Sequence, residues 1–139
     1  MAARTKARKR AVDVLYEADV RGRDVLSVLS DRMETPPPVP EHTVRLVEGV
    51  AEHAARIDAL IEAHASNWQL DRLPDVDRAI LRMAVFELLW ADDVPDAVVI
   101  DEAVELAKAL STDESPAFVN GVLGAILAAE VPTHGRPSS

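Results

Sequence analysis

The sequence predicts an all-α domain, a compact bundle of about six or seven helices. Three observations carry that prediction. Apolar residues recur with a period near 3.6 through most of the 139 residues. Only five glycines and no long alternating runs are present, which argues against a sandwich or barrel. Hydrophobic residues make up 48% of the chain but aromatics only 4%, so the core is built from Ala, Val, Leu and Ile. The length suits one domain, taken as residues 1–130, with 131–139 (VPTHGRPSS) expected as a disordered tail.

The first helix should run from about Ala3 to Val20, with Ala7, Ala11, Leu15 and Ala18 on one stripe and Val14 widening it. Gly22 then ends it. A short second helix follows Asp24, carrying Val25, Val28 and Leu29 and ending near Arg32 and Met33. ETPPPVPE cannot be helical, because each proline removes a donor and restricts the residue before it. One long helix is expected from about Glu41 to His64, on Val44, Val47, Ala51, Ala54, Ile57 and Ile61. NWQLDRLP breaks the pattern, with Trp68, Leu70 and Leu73 placed to dock a short turn on the core.

Pro74 fits a first helical position, and Asp75 and Asp77 suit the positive end of the helix that carries Val76, Ile80 and Met83 toward Trp90. DDVPD reads as a turn. Asp101 is the expected cap of a helix reaching Leu110, with Glu102 and Glu105 early and Lys108 late. Ser115 and Pro116 read as cap and first position of a last helix, Ala117 to Ala129, built on Val119, Val122, Leu123 and Ile126.

Several function classes drop out. Without cysteine there are no disulfides or thiolate metal sites. No apolar run approaches the ~20 residues of a membrane span, and AVDVLYEADV is too interrupted for a signal-peptide core. A soluble cytoplasmic protein is expected. His42, His53 and His64 are spaced by 11, about 16 Å apart along a helix, too far to share a metal. The acid pairs Asp101/Glu105 and Asp71/Asp75 have no histidine, lysine or glycine-rich loop beside them. No nucleophile elbow, phosphate loop or dinucleotide fingerprint occurs. The expectation is a non-enzyme with no metal or cofactor.

Charge is the informative feature. The first ten residues hold Arg4, Lys6, Arg8, Lys9 and Arg10 and no acid, while residues 11–139 hold 10 basic against 24 acidic groups, a net of −14. Arg4 and Arg8 continue the stripe of Ala11, Leu15 and Ala18, so the helix is expected to overhang the bundle and offer them at its rim. The helix dipole adds positive potential at the same end. Four phosphate contacts there would give single-stranded RNA binding a salt slope near about −2.8, roughly a 50-fold loss between about 50 and 200 mM salt. A solvated basic tail explains the charge alone equally well. Tyr16, Phe86 and Trp90 fall on or near apolar stripes. Phe118, off the Val119–Val122–Ile126 line, is either a base-stacking platform or a staple on the helix start.

AR-x2-AVDVLYEADVRG from Ala7, LPDVDRAILRMAVFELLW from Leu73 and VPDAVVIDEAVELAKALSTDESPAFVNGVLGAIL from Val94 together resemble the NusB family of bacterial transcription antitermination factors. The block IDEAVELAK followed by FVNGVL is the most specific part. The resemblance implies two packed helical subbundles and an RNA-binding adaptor without catalytic activity. Its RNA would be the boxA element of ribosomal RNA leader transcripts, its partner NusE, a small-subunit ribosomal protein, and its indirect target the elongating RNA polymerase. It places the family's arginine-rich motif on Arg4 to Arg10 and its aromatic on Phe118. Asp77 and Tyr16 fall on the surfaces that would meet NusE. Thr5 interrupts the basic run, lysine stands at 6 and 9, and Asp77 is one methylene shorter than the glutamate often found there. The competing reading from the residues is a helical protein–protein module or homodimeric scaffold without sequence-specific RNA binding.

Overall fold

A computed structural model of the chain describes residues 2–65 and 70–130. Trp68 and the expected tail, 131–139, lie outside the described residues. Seven α-helices occupy the described residues: α1 (Ala2–Arg21), α2 (Val25–Met33), α3 (Glu41–Glu52), α4 (Ala54–His64), α5 (Asp75–Trp90), α6 (Asp96–Leu110) and α7 (Ser115–Glu130). A single 3-10 turn, Leu70–Arg72, leads into α5, and Leu73 beside it is buried. The all-α expectation holds.

Local chemistry explains the boundaries. Gly22 adopts φ +63, and the Arg23 N–H donates to the Ala18 carbonyl at 2.9 Å, closing α1 with a left-handed cap. Asp24 caps α2 by accepting from the Ser27 N–H at 3.1 Å. Pro40, Pro74 and Pro95 each occupy the cap position before α3, α5 and α6, with ψ between 140 and 147°. Proline's fixed φ suits that extended position, and its missing N–H costs nothing there.

Four boundaries differ from the sequence reading. Pro74 is therefore the cap of α5, one residue before its first helical position. α6 starts at Asp96, so Asp101 is an exposed residue inside the helix rather than its cap. α7 starts at Ser115, and the Glu114 carbonyl accepts from the Phe118 N–H at 3.2 Å. The expected 41–64 helix is two helices that turn at His53, where φ is −110 and ψ 21. Its buried face is Thr43, Leu46, Val47 and Val50, followed by Ile57, Leu60 and Ile61. The turn has a packing cause. Gly49 lets the Phe86 ring sit 2.2 Å from where a β-carbon would be, and the His53 ring stacks on Trp90 at 4.0 Å and 9°. α3 is thereby pinned on α5, while α4 leaves to pack on α5, α7 and the 3-10 turn.

α5 is the axis of the molecule. Every residue from Asp77 to Leu88 is buried except Arg82, as expected of a helix surrounded by others. It packs on α1, α3, α4, α6 and α7. Helices α1–α3 also pack among themselves, and α6 forms a hairpin with α7, so α5 joins two subbundles.

Candidate nucleic-acid interface

The basic segment occupies the first three turns of α1. Its apolar line, Ala7 and Ala11, is buried against the bundle. Lys6 and Lys9 are exposed. Arg4 is half-buried and pairs with Asp93 at 3.1 Å, a carboxylate that Arg45 approaches at 3.5 Å. Burial pushes the Asp93 carboxyl upward, but its backbone hydrogen bond and the guanidinium groups of Arg4 and Arg45 bring it below its ordinary value. Arg10 donates to the Pro38 and Pro37 carbonyls at 3.2 and 3.5 Å, laying the proline loop against the same segment.

Arg8 corrects the sequence reading. It lies on the core-facing line, as its spacing implies, but it does not overhang the bundle. Its side chain is 3% exposed and its Nε and Nη2 donate to Glu87 Oε1 and Oε2 at 2.7 and 2.9 Å. Glu102 lies 3.5 Å from its Nη1. Burial lowers the Arg8 pKa, yet the hydrogen bonds and charge of Glu87, aided by Glu102 and Asp93, outweigh that and hold it above the ordinary value. The physical reason is that Glu87 stands on the buried face of α5 at 1% exposure, so the helix line that receives Ala11 and Leu15 also offers a carboxylate. Thr5 donates to Glu102 at 2.8 Å and Thr43 to the Ala7 carbonyl at 2.7 Å, tying the same turns of α1 to α6 and α3.

Phe118 stands apart from this cluster. It is half-buried in the first turn of α7, next to a cavity of about 300 Å³ lined by Leu73, Pro74, Asp77, Thr112, Glu114 and Ser115. Glu102 lies eight residues before Leu110, the end of α6, which puts about 12 Å of helix between the basic turns and that cavity. Asp77 is also corrected. It is 2% exposed and accepts from the Ser111 and Ser115 hydroxyls at 2.6 and 2.9 Å, so its carboxylate fastens the α6–α7 connection to α5 instead of facing solvent. Tyr16 is 39% exposed on α1.

The sequence reading missed the acids and the imidazole that surround the basic turns: Glu87, Glu102, Asp93 and His42. Glu87 left a trace, being an acid on an apolar stripe of α5 while Arg8 is a base on the stripe of α1. His42 and Asp93 left none, since their contacts depend on how α3 crosses α5 and how the turn after α5 meets α1 and α3. Among the described residues, no group of three or more His, Asp or Glu side chains is placed to hold a metal ion. No helix among them is long and apolar enough to cross a membrane.

The NusB family model matches residues 5–128. A transcription antitermination protein NusB from Saccharopolyspora erythraea is 65% identical over 129 residues, covering 91% of this chain and 87% of that one. One from Acidothermus cellulolyticus is 59% identical over 140 residues, covering 99% and 95%. Among solved structures, T. maritima NusB superposes with a TM-score of 0.83 at 34% identity over 94% of each chain. A structure of antitermination factors NusB and NusE in complex with dsRNA gives 0.80 at 33% identity, over 93% of this chain and 98% of that one. The family pattern thus runs from the basic turns of α1 through the last turns of α7, on the same arrangement of helices, and the chain belongs to the NusB family.

Proposed function

We propose that this chain is a transcription antitermination adaptor. It binds boxA-type single-stranded RNA of ribosomal RNA leader transcripts together with NusE and couples that RNA to the elongating polymerase. The observation that carries the reading is the reversal of charge along α1. Lys6 and Lys9 stand exposed, with Arg4 and Arg10 beside them, at the positive end of a helix on a body of net charge −14. Local attraction with global repulsion favours a specific phosphate track over adventitious nucleic acid. Phe118 serves as a platform for one unstacked base. Tyr16 contributes directly to the surface for the basic ribosomal protein, and Asp77 contributes through the turn it fastens. The protein is cytoplasmic and works by binding, without catalysis.

Fluorescence anisotropy of labelled boxA-type RNA against a scrambled control, with and without NusE, tests this. Preference for boxA, strengthened by NusE and lost in Lys6→Glu/Lys9→Glu, supports the adaptor. Equal binding of both RNAs contradicts it. A second reading, a homodimeric scaffold, draws on exposed apolar side chains of α1 and α2: Tyr16, Val20, Leu26 and Met33. RNA indifference together with dimerisation at micromolar concentration in analytical ultracentrifugation selects it.

A further inference from the structure

Between the exposed Lys6 and Lys9, Arg8 turns inward to Glu87. A sealed ion pair is a weak source of net stability, because desolvating two charges offsets most of their attraction. What it supplies is geometry. A bidentate guanidinium–carboxylate contact fixes distance and angle together. The neighbouring contacts, Thr5 to Glu102 and Thr43 to the Ala7 carbonyl, act on the same turns. α1 is therefore clamped to α5, α6 and α3 within two residues of Lys6, and to α5 and α3 within two residues of Lys9. Lys6 and Lys9 are i,i+3 neighbours, turned away from the Arg8 side of the helix.

We propose that Glu87 is a positioning residue for RNA binding: it draws Arg8 inside and so sets the azimuth at which Lys6, Lys9 and Arg10 meet the phosphates. This rests on the RNA-binding reading above. The rival within that reading has Arg8 as a phosphate contact for which Glu87 competes, and it predicts the opposite sign. Neutralising Glu87 would then release a cation to the RNA.

The test measures binding of a boxA-type single-stranded RNA by the full chain across a salt series, with thermal melts alongside. The proteins are wild type, Glu87→Gln, Arg8→Lys and Arg8→Met/Glu87→Met. Glu87→Gln should weaken binding roughly tenfold at every salt concentration while leaving the salt slope unchanged, since misorientation costs affinity without removing a phosphate contact. Arg8→Lys keeps the charge, loses the fork and should behave alike. The double variant leaves no unpaired buried charge and should recover most of the affinity with the wild-type slope. Tighter binding by Glu87→Gln, with a slope steeper by about 0.7, overturns the proposal and makes Arg8 a phosphate contact. A folded double variant whose slope is shallower by about 0.7 does the same. Unchanged affinity in both Glu87→Gln and Arg8→Lys also overturns it. Absence of salt-dependent binding in the wild type removes the RNA reading itself, and it shows before any substitution is made.

Discussion

His42 presents a buried imidazole nitrogen with no hydrogen-bond partner, 3.7 Å from a Glu87 oxygen. Burial lowers its pKa below the ordinary 6.5; Glu87 pulls it upward, while Arg4, Arg8 and Arg45 push it further down. Glu87 accepts from both Arg8 Nε and Nη2, and the His42 Nε2 has no hydrogen bond to it. Between the lowered folded value and 6.5 the unfolded chain holds a proton that the folded chain lacks, so stability rises with pH through that window. The stabilisation is fully present above about pH 6.5 and is lost as the pH falls toward the folded value. Melts from about pH 7.5 to 5.5 should show a falling Tm in the wild type and a flatter profile in His42→Gln. Asp77 makes the second prediction at this scale. Asp77→Ala removes the buried acceptor to which the Ser111 and Ser115 hydroxyls donate and should cost about 1–3 kcal/mol in urea titration. Neither residue was legible from its position alone. The spacing of Arg8 shows which face of α1 it occupies, Asp77 reads only as an acid at the positive end of its helix, and the partners across the bundle decide that both are sealed.

Among the elements, the break at His53 governs how the two subbundles meet. Gly49 is required where the Phe86 ring crosses α3, and that ring lies beside the stacked His53–Trp90 pair, 6.2 and 6.4 Å from their centroids. Gly49→Ala should therefore destabilise by about 1–3 kcal/mol, the cost of overpacking, despite alanine's better helix propensity, as a urea titration would read. A matched substitution at the exposed Gly121, with open space around it, should instead be neutral or stabilising. Helix periodicity runs unbroken through His53, so the sequence predicted one helix. A turn imposed by a glycine–ring contact has no signature in hydrophobic spacing. The proline caps were legible as boundaries and misplaced by only one position at Pro74, because cap and first turn accept the same residue. At α6 the error was larger. Asp101 reads as the cap and DDVPD as a turn, but Pro95, with its carbonyl at 3.0 and 3.1 Å from the Val98 and Val99 N–H groups, starts the helix five residues earlier, at Asp96.

For the whole molecule, the ion pairs across helices say how the basic end of α1 is oriented. Arg78 donates to Asp19 at 2.7 Å and Arg82 to Asp58 at 2.8 and 3.1 Å, joining α1, α4 and α5 on one side. Arg8 and Glu87 join α1 to α5 near its other end. α1 is thus fixed along its length, and its exposed lysines project from a stiff support. Periodicity and composition gave the fold class, and the charge reversal singled out the first turns of α1 as the proposed site. Which of the five cations face solvent was not readable, since acids from α5 and α6 decide it. The claim that this end of α1 is an RNA site is tested most directly by the salt dependence of boxA-type RNA binding in wild type and in Lys6→Ala/Lys9→Ala. The account predicts a slope near about −2.8 for the wild type, shallower by about 1.4 in the variant, with an unchanged melting temperature. An identical slope in the two proteins would contradict it.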